Sequence, residues 1–312
     1  MTYKPKWNTI GFTDFLNVEK NEIKNLPNGI SVSTMCASCK LNTRLNIPNI
    51  EKYLLLNQDD ILTVKMNDER IRTLIVVKHK PKRMKKTESR QVPKDTSKNH
   101  FYNQITVVVR VDQGPIKDIT EAPKINMKLF KNGSVQMSGC KSLYGINNAL
   151  NKLIIKLKEI KAKIENGTIV EKIFIEEPDK ITVKDFKIDM INSNYQVAMQ
   201  IDRDKLYNLL LKKKIKSSYE PCIRACVIIK FVPAEENSEQ KEVSIFVFQK
   251  GNIIITGARS KSHVISAYNY MNNILLTHKD EIIKKDEKEE EEEILDIFKD
   301  IMKEVNIGLI KV

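Results

Sequence analysis

The chain has 312 residues, of which 41 % are hydrophobic and 30 % charged, enough apolar material for one large domain or two small ones. Its 53 Lys and Arg against 40 Asp and Glu give a formal net charge of +13, which favours polyanionic partners, nucleic acid first among them, although an AT-rich genome inflating Lys, Asn and Ile gives the same excess. No run approaches 18 apolar residues and the N-terminus lacks the apolar segment of a secretory signal. The expected setting is therefore intracellular, without a membrane span, and the five cysteines are expected to be reduced.

Residues 1–28 read as an irregular leader with a short helix around Phe12 to Val18. Ile30 to Leu41 is rich in β-branched and small residues and reads as a strand. Cys36 and Cys39 within it have the spacing of a zinc knuckle. A three-residue offset on a strand, however, points two thiols to opposite faces, and no second pair of suitable spacing follows. Structural cysteines are expected there, with neither metal nor cofactor. Asn46-Ile47-Pro48 opens a helix with Ile50, Tyr53 and Leu54 on its apolar stripe. Ile61–Met66 and Ile71–Val77 read as short strands. The run 78–100 holds nine Lys and Arg with almost no apolar residue and reads as a solvated loop.

Ile105–Val111 reads as a strand and Pro115–Pro123 as a connector. Lys128 to Ser142 then predicts a hairpin turning at Asn132-Gly133 and a helix entry after Gly139. That helix carries Ile146, Leu150, Leu153, Ile154 and Leu157 on one face, and Asn166-Gly167 is taken to end it. Past an acidic linker, 166–182, the order repeats. Phe186–Val197 is a strand, Asp202 caps a helix bearing Leu206, Leu209 and Leu210, and Ser217–Pro221 turns into a strand over Ala225–Val232. A second hairpin follows, then a helix with Val264, Tyr268, Met271 and Leu275 at helical spacing. The tail turns acidic from Glu287 and ends in an amphipathic helix with Ile294, Ile297, Phe298, Ile301, Met302 and Val305 on one stripe, suited either to packing on the body or to binding a partner.

The two hairpins carry one pattern. Phe130, Gly133, Ser138, Gly139, Lys141 and Ser142 recur at identical offsets as Phe248, Gly251, Thr256, Gly257, Arg259 and Ser260. An internal duplication of about 100 residues per copy is the strongest signal in the chain. The copies lie at 29–165 and 183–280, the first enlarged by an insertion at about 60–100, with 281–312 as the acidic helical tail.

This duplicated unit resembles the TATA-box-binding protein family, in a divergent form like those of large nucleocytoplasmic DNA viruses. The resemblance rests on Val32-Ser33-Thr34 with Cys39-Lys40-Leu41, on the two hairpins, and on Ser218-Tyr219-Glu220-Pro221. It implies an α+β saddle of two pseudo-symmetric repeats forming one curved antiparallel sheet with helices on the convex face. The concave face would bind and bend double-stranded DNA through the minor groove, in the manner for which this family is the usual example. Phe130 and Phe248 fall on the inner wedges. The outer wedge of repeat two falls on Arg224, and that of repeat one on Gln104, with Phe101 the aromatic candidate if the loop shifts. Ile30 and Met190 stand where the family has base-reading asparagines. Val32, Ile254, Ser138 and Thr256 keep groove contacts, whereas Gln136, Lys128 and Asn192 replace apolar ones, and Lys141 and Arg259 suit phosphate. These departures imply an altered sequence preference.

The resemblance further implies a transcription-initiation role, with contacts to a transcription-factor-B-like protein and RNA polymerase through Tyr219 and Glu220. It places the protein in host cytoplasm (the viral factory) or in the nucleus, with packaging in the virion as a further expectation. The alternative is an interaction platform of the same fold that has lost specific DNA binding. Catalysis is not expected: four scattered His, no P-loop and no G-x-S-x-G leave nothing to build it on.

Overall fold

The computed structural model describes residues 23, 26–67, 70–75, 103–111, 121–166, 168–233, 241–284, 295, 297–299 and 301–303. The predicted helix near Phe12, the basic run 78–100 and Phe101 lie outside them. The chain forms an α+β fold that divides into two compact units, one dominated by 32–191 and the other by 192–258 with 262–312.

In the first unit β1 (Ser31–Lys40) leads to α1 (Ile47–Tyr53), then β2 (Ile61–Lys65), β3 (Ile71–Thr73), β4 (Gln104–Arg110), β5 (Lys124–Phe130), β6 (Ser134–Cys140) and α2 (Leu143–Lys158). The strands pair antiparallel in the order β1-β6-β5-β4-β2-β3. Period-two alternation decides the two faces of this sheet. Met35, Ala37 and Cys39, Val135 and Met137, Ile125, Met127 and Leu129, and Ile105, Val107 and Val109 are all buried. Over them lies α2, whose Ile146, Leu150, Leu153, Ile154 and Leu157 are at most 1 % exposed. Ser142 starts that helix, its side chain accepting the Gly145 N–H at 3.0 Å. Asn46 does the same for α1, accepting from Asn49 at 3.1 Å.

A polar feature is built into this core. Lys152 of α2 and Arg110 of β4 are each 2 % exposed. Lys152 Nζ donates to the carbonyls of Asp59 (2.6 Å) and Arg110 (2.9 Å), and Arg110 donates to Gln58 O and to the Asp59 carboxylate. Helix, strand and the loop entering β2 are thereby tied at one point, and loss of either cation would strand buried carbonyls.

Two sequence expectations need correction here. The helix does not run to Asn166-Gly167; it stops at Lys158, and β7 (Lys161–Glu165) and β8 (Thr168–Lys172) form a separate two-stranded hairpin. Asn166 takes φ +50° in its turn, as the first residue of an Asn-Gly hairpin requires. Its outer face is bare: Ile160, Ile164 and Ile169 are more than half exposed. The insertion is also smaller than expected. β2 pairs along β4 just as a two-residue strand of the second unit, β10 (Ser217–Ser218), pairs along β11 (Cys226–Phe231), so β2 belongs to the repeat and the additional material begins with β3. Both strands extend the sheet sideways in its own plane.

β9 (Lys184–Gln196) starts in the first unit and ends in the second. The second unit continues with α3 (Arg203–Lys212), β10, β11, β12 (Val243–Phe248), β13 (Asn252–Ala258), α4 (Lys261–Thr277) and the short α5 (Lys279–Ile282). The strands β10 to β13 are antiparallel neighbours in sequence order, and β9 lies beside β13. Asp202 caps α3, its carboxylate accepting the N–H groups of Asp204 and Lys205, both at 3.0 Å. Val227, Ile229, Ile245, Val247, Ile253 and Ile255 form the buried face, with Val264, Ala267, Met271 and Leu275 of α4 also buried. Tyr195 of β9 meets Tyr268 edge-on at 4.8 Å, and Phe231 stacks on Tyr270 at 4.4 Å, so aromatic pairs fasten α4 to its sheet.

Candidate functional site

The duplicated hairpin repeats down to its hydrogen bonds. In the first unit Gly133 sits at φ +85°, donates its N–H to Phe130 O (2.9 Å) and accepts the Leu41 N–H (2.9 Å). In the second, Gly251 sits at φ +77°, donates to Phe248 O (3.0 Å) and accepts from Val197 (2.9 Å). Lys131 O takes the Leu45 N–H and Gln249 O takes the Ile201 N–H, at 3.0 and 2.8 Å. A Cβ at Gly133 would run into Thr43 O, and one at Gly251 into Val197 O. Glycine is thus required twice over at each turn, by backbone angle and by space. The turns lock Phe130 and Phe248 into one register, each the last residue of its strand.

With one face of each sheet buried, the side chains of opposite parity form an open face. In the first unit it is polar. Ser38, Gln136, Lys128 and Thr106 line up across four strands, and Cys36, Ser138 and Asn126 form the next row. Phe130, half-buried, stands opposite Gln104 at the strand ends. In the second unit the corresponding row is apolar, with half-buried Ile254 and Phe246 beside Ile228, and Phe248 opposite Cys226; Ile228 and Cys226 are themselves buried, so the accessible part of the row is Phe246, Phe248 and Ile254. Thr256, Ser244 and Lys230 make the next row; Lys230 Nζ donates to Ser244 Oγ (2.9 Å), and Thr256 Oγ1 to Asn192 Oδ1 (2.5 Å).

Most of the residues singled out in the sequence are accessible, on one unit or the other. Gln136, Ser138, Lys141, Arg224 and Arg259 are exposed; Phe130, Phe248, Val32, Ile254, Thr256, Met190 and Asn192 are half-buried. Ile30 is an exception, only 8 % exposed and so withdrawn from any ligand in this structure. Phe246 was missed. It shares the parity of Phe248 and is half-buried between Ile228 and Ile254, so simple alternation along Val243–Phe248 was the signal that would have found it. Beside Phe130 the surface dips into a cavity lined by Arg44, Asn103, Lys131 and Asn132, which puts two cations within reach of whatever meets that ring.

Burial governs the thiols. Burial pushes Cys39 and Cys140 up to about 12, and raises Cys36 less strongly, with the Asp189 carboxylate adding to it. Cys36 is half-buried and Cys39 buried, as opposite strand faces require. Among the described residues no group of three or more His, Cys, Asp or Glu is arranged to hold a metal ion. At the far end of the second unit, Tyr219 meets Tyr207 edge-on at 5.9 Å and lies 5.6 Å from the Arg203 guanidinium, which also donates to Ala225 O. Glu220 O accepts the N–H groups of Ile223 and Arg224, so the exposed Glu220 side chain rides on a fixed turn.

Residues 185–278, from β9 through α4, match the family described as transcription factor TFIID (or TATA-binding protein, TBP). A relative from Acanthamoeba polyphaga mimivirus, described as TATA-box-binding protein-like, is 36 % identical over 262 residues. The chain is a divergent TATA-box-binding-protein-like protein. The aligned region is 79 % of this chain and 65 % of that relative, so the chain spans less than two thirds of the relative's length. Methanococcus jannaschii TBP is a structural neighbour at 16 % identity and a TM-score of 0.47, covering 80 % of this chain and 98 % of its own.

The match to the TATA-binding protein family falls on the second repeat, whose open face is also the more apolar of the two. The first repeat has the same glycine-turn geometry as the second, while its open face is polar at Lys128 and Gln136. In this TATA-binding-protein-like chain the fold and the glycine turns are duplicated, and the chemistry of the faces is not.

Proposed function

We propose that the protein is a DNA-binding transcription initiation factor of the TATA-binding-protein type, which binds double-stranded DNA through the open sheet faces and bends it from the minor groove. One observation carries the reading: the duplicated turns hold Phe130 and Phe248 at equivalent strand ends on the open faces, where half-buried apolar rings can enter a base step. Unstacking a step costs a few kcal/mol and is repaid by contact with the bent duplex. Lys141, Arg224 and Arg259 would meet phosphates. The polar first face and the loss of base-reading asparagines at Ile30 and Met190 support a sequence preference that differs from strict TATA. Tyr219 and Glu220 would receive a transcription-factor-B-like protein, and through it RNA polymerase. No catalytic step is part of this role.

Fluorescence anisotropy with TATA and scrambled duplexes over a salt series tests it. Binding that falls steeply with salt and differs little between the duplexes is expected; no binding at low salt would defeat the reading, and a strong TATA preference would defeat its specificity clause. Replacing both Phe130 and Phe248 by Ala should abolish bending, measured by energy transfer between duplex ends, with little loss of stability. A loss of several kcal/mol would mean the rings are core.

A further inference from the structure

The C-terminal segment is helical at 295, 297–299 and 301–303, and its Leu295, Ile297, Phe298, Ile301 and Met302 are 46–62 % exposed. Five large apolar side chains on so short a stretch have nothing to cover them in this structure, and solvent exposure of such a stripe is costly. Between Lys285 and Ile294 the sequence places seven carboxylates against two lysines.

The anchor of this segment lies close to a surface of complementary character. The Lys284 N–H donates to Gln200 O (3.0 Å), Ile283 bridges to Ile201, and the Ile201 N–H donates to Gln249 O (2.8 Å). Gln249 directly follows Phe248. The chain thus leaves the second unit next to the β12–β13 turn, which joins the strand carrying Phe246 and Phe248 to the one carrying Ile254. Exposed Lys250 lies in the β12–β13 turn, and exposed Arg224 stands two residues before Cys226, the partner of Phe248. Ten residues separate Lys284 from Leu295, a reach of about 35 Å when extended, more than the width of a four-stranded sheet at ~4.8 Å per strand.

We infer that the open face of the second unit is a docking surface for the chain's own C-terminal segment, 285–312, which occupies it in competition with nucleic acid. Phe298 and its apolar neighbours would cover Phe246, Phe248 and Ile254 while the carboxylates meet Arg224 and Lys250. The competition rests on the DNA-binding reading of that face; the docking itself does not.

Two measurements on the full chain test the inference. In the first, duplex affinity is compared between the parent and Ile297→Asp/Phe298→Asp. The added negative charges alone would weaken DNA binding, so a variant that binds roughly five-fold tighter or more identifies release of a competitor. Equal or weaker binding overturns the inference. In the second, which needs no DNA, Phe298→p-benzoylphenylalanine is irradiated and the cross-links are mapped. Intramolecular links to peptides within 226–231 or 243–256 are expected. Links elsewhere, or only between two copies, overturn the docking. If neither protein binds duplex at low salt, the nucleic-acid reading falls, and the cross-link map still decides the docking.

Discussion

Gly133 and Gly251 are the residues on which each half depends most sharply. Alanine at either meets a left-handed backbone and a carbonyl oxygen at once, and the expected loss is about 2–4 kcal/mol by urea unfolding, against a few tenths for an exposed control such as Gln136→Ala. Cysteine chemistry divides just as sharply. Cys222 is exposed, whereas Cys39 and Cys140 are buried with thiols pushed up to about 12. At pH 8 a thiol reagent should therefore modify Cys222 within minutes and reach Cys39 and Cys140 only on unfolding. At this scale the sequence was readable where a residue's role followed from strand parity or from its own backbone needs. Phe130, Phe248 and the glycines are such cases. It was unreadable where burial depends on what packs from elsewhere, as for Ile30, or where a charge is buried on a helix's apolar side, as for Lys152, whose carbonyl partners come from 42 and 93 residues away.

Among the elements, the open face of β11–β13 and that of β4–β6 make unequal claims on a ligand. Phe246→Ala, with Phe248 left in place, should lower duplex affinity by about ten-fold, since it removes the centre of an apolar row; Lys128→Ala, its counterpart in the first repeat, should reduce the salt slope by about one and leave bending intact. Parallel losses from both variants would count against a division of labour between the repeats. Asp202→Ala tests a purely structural point: losing its two bonds to α3 should cost about 1 kcal/mol of stability and leave DNA binding unchanged. Strands, helices and caps were legible because period, capping residues and turn residues agreed along most of the chain. The β7–β8 hairpin was hidden because its Asn-Gly was read as the end of a preceding helix. Glu159 in fact leaves the helix in an extended conformation seven residues earlier. β2 was misassigned to the insertion because only pairing, not composition, distinguishes a repeat's edge strand from added sheet.

For the molecule as a whole, protons report on the core. Burial raises Cys39 and Cys140 to about 12, and raises Tyr195 as well. In an unfolded chain these thiols ionise near 9, so above that pH unfolding releases protons that the folded protein retains. Stability is then complete below about pH 9 and declines as pH climbs toward 12. Thermal melts at pH 8 and pH 10.5 should show a lower midpoint at the higher pH, and a variant with Cys39→Ala and Cys140→Ala should lose part of that difference. The duplicated architecture has another effect, which follows from the unlike rows Thr106–Lys128–Gln136 and Ile228–Phe246–Ile254. A body made of two equal halves would sit on a duplex equally well either way round. On the proposed function, the apolar half seeks the more easily unstacked step and the polar half accepts the stiffer one. On that same proposal, a promoter would set the direction in which transcription departs by placing its flexible step at one end of the site.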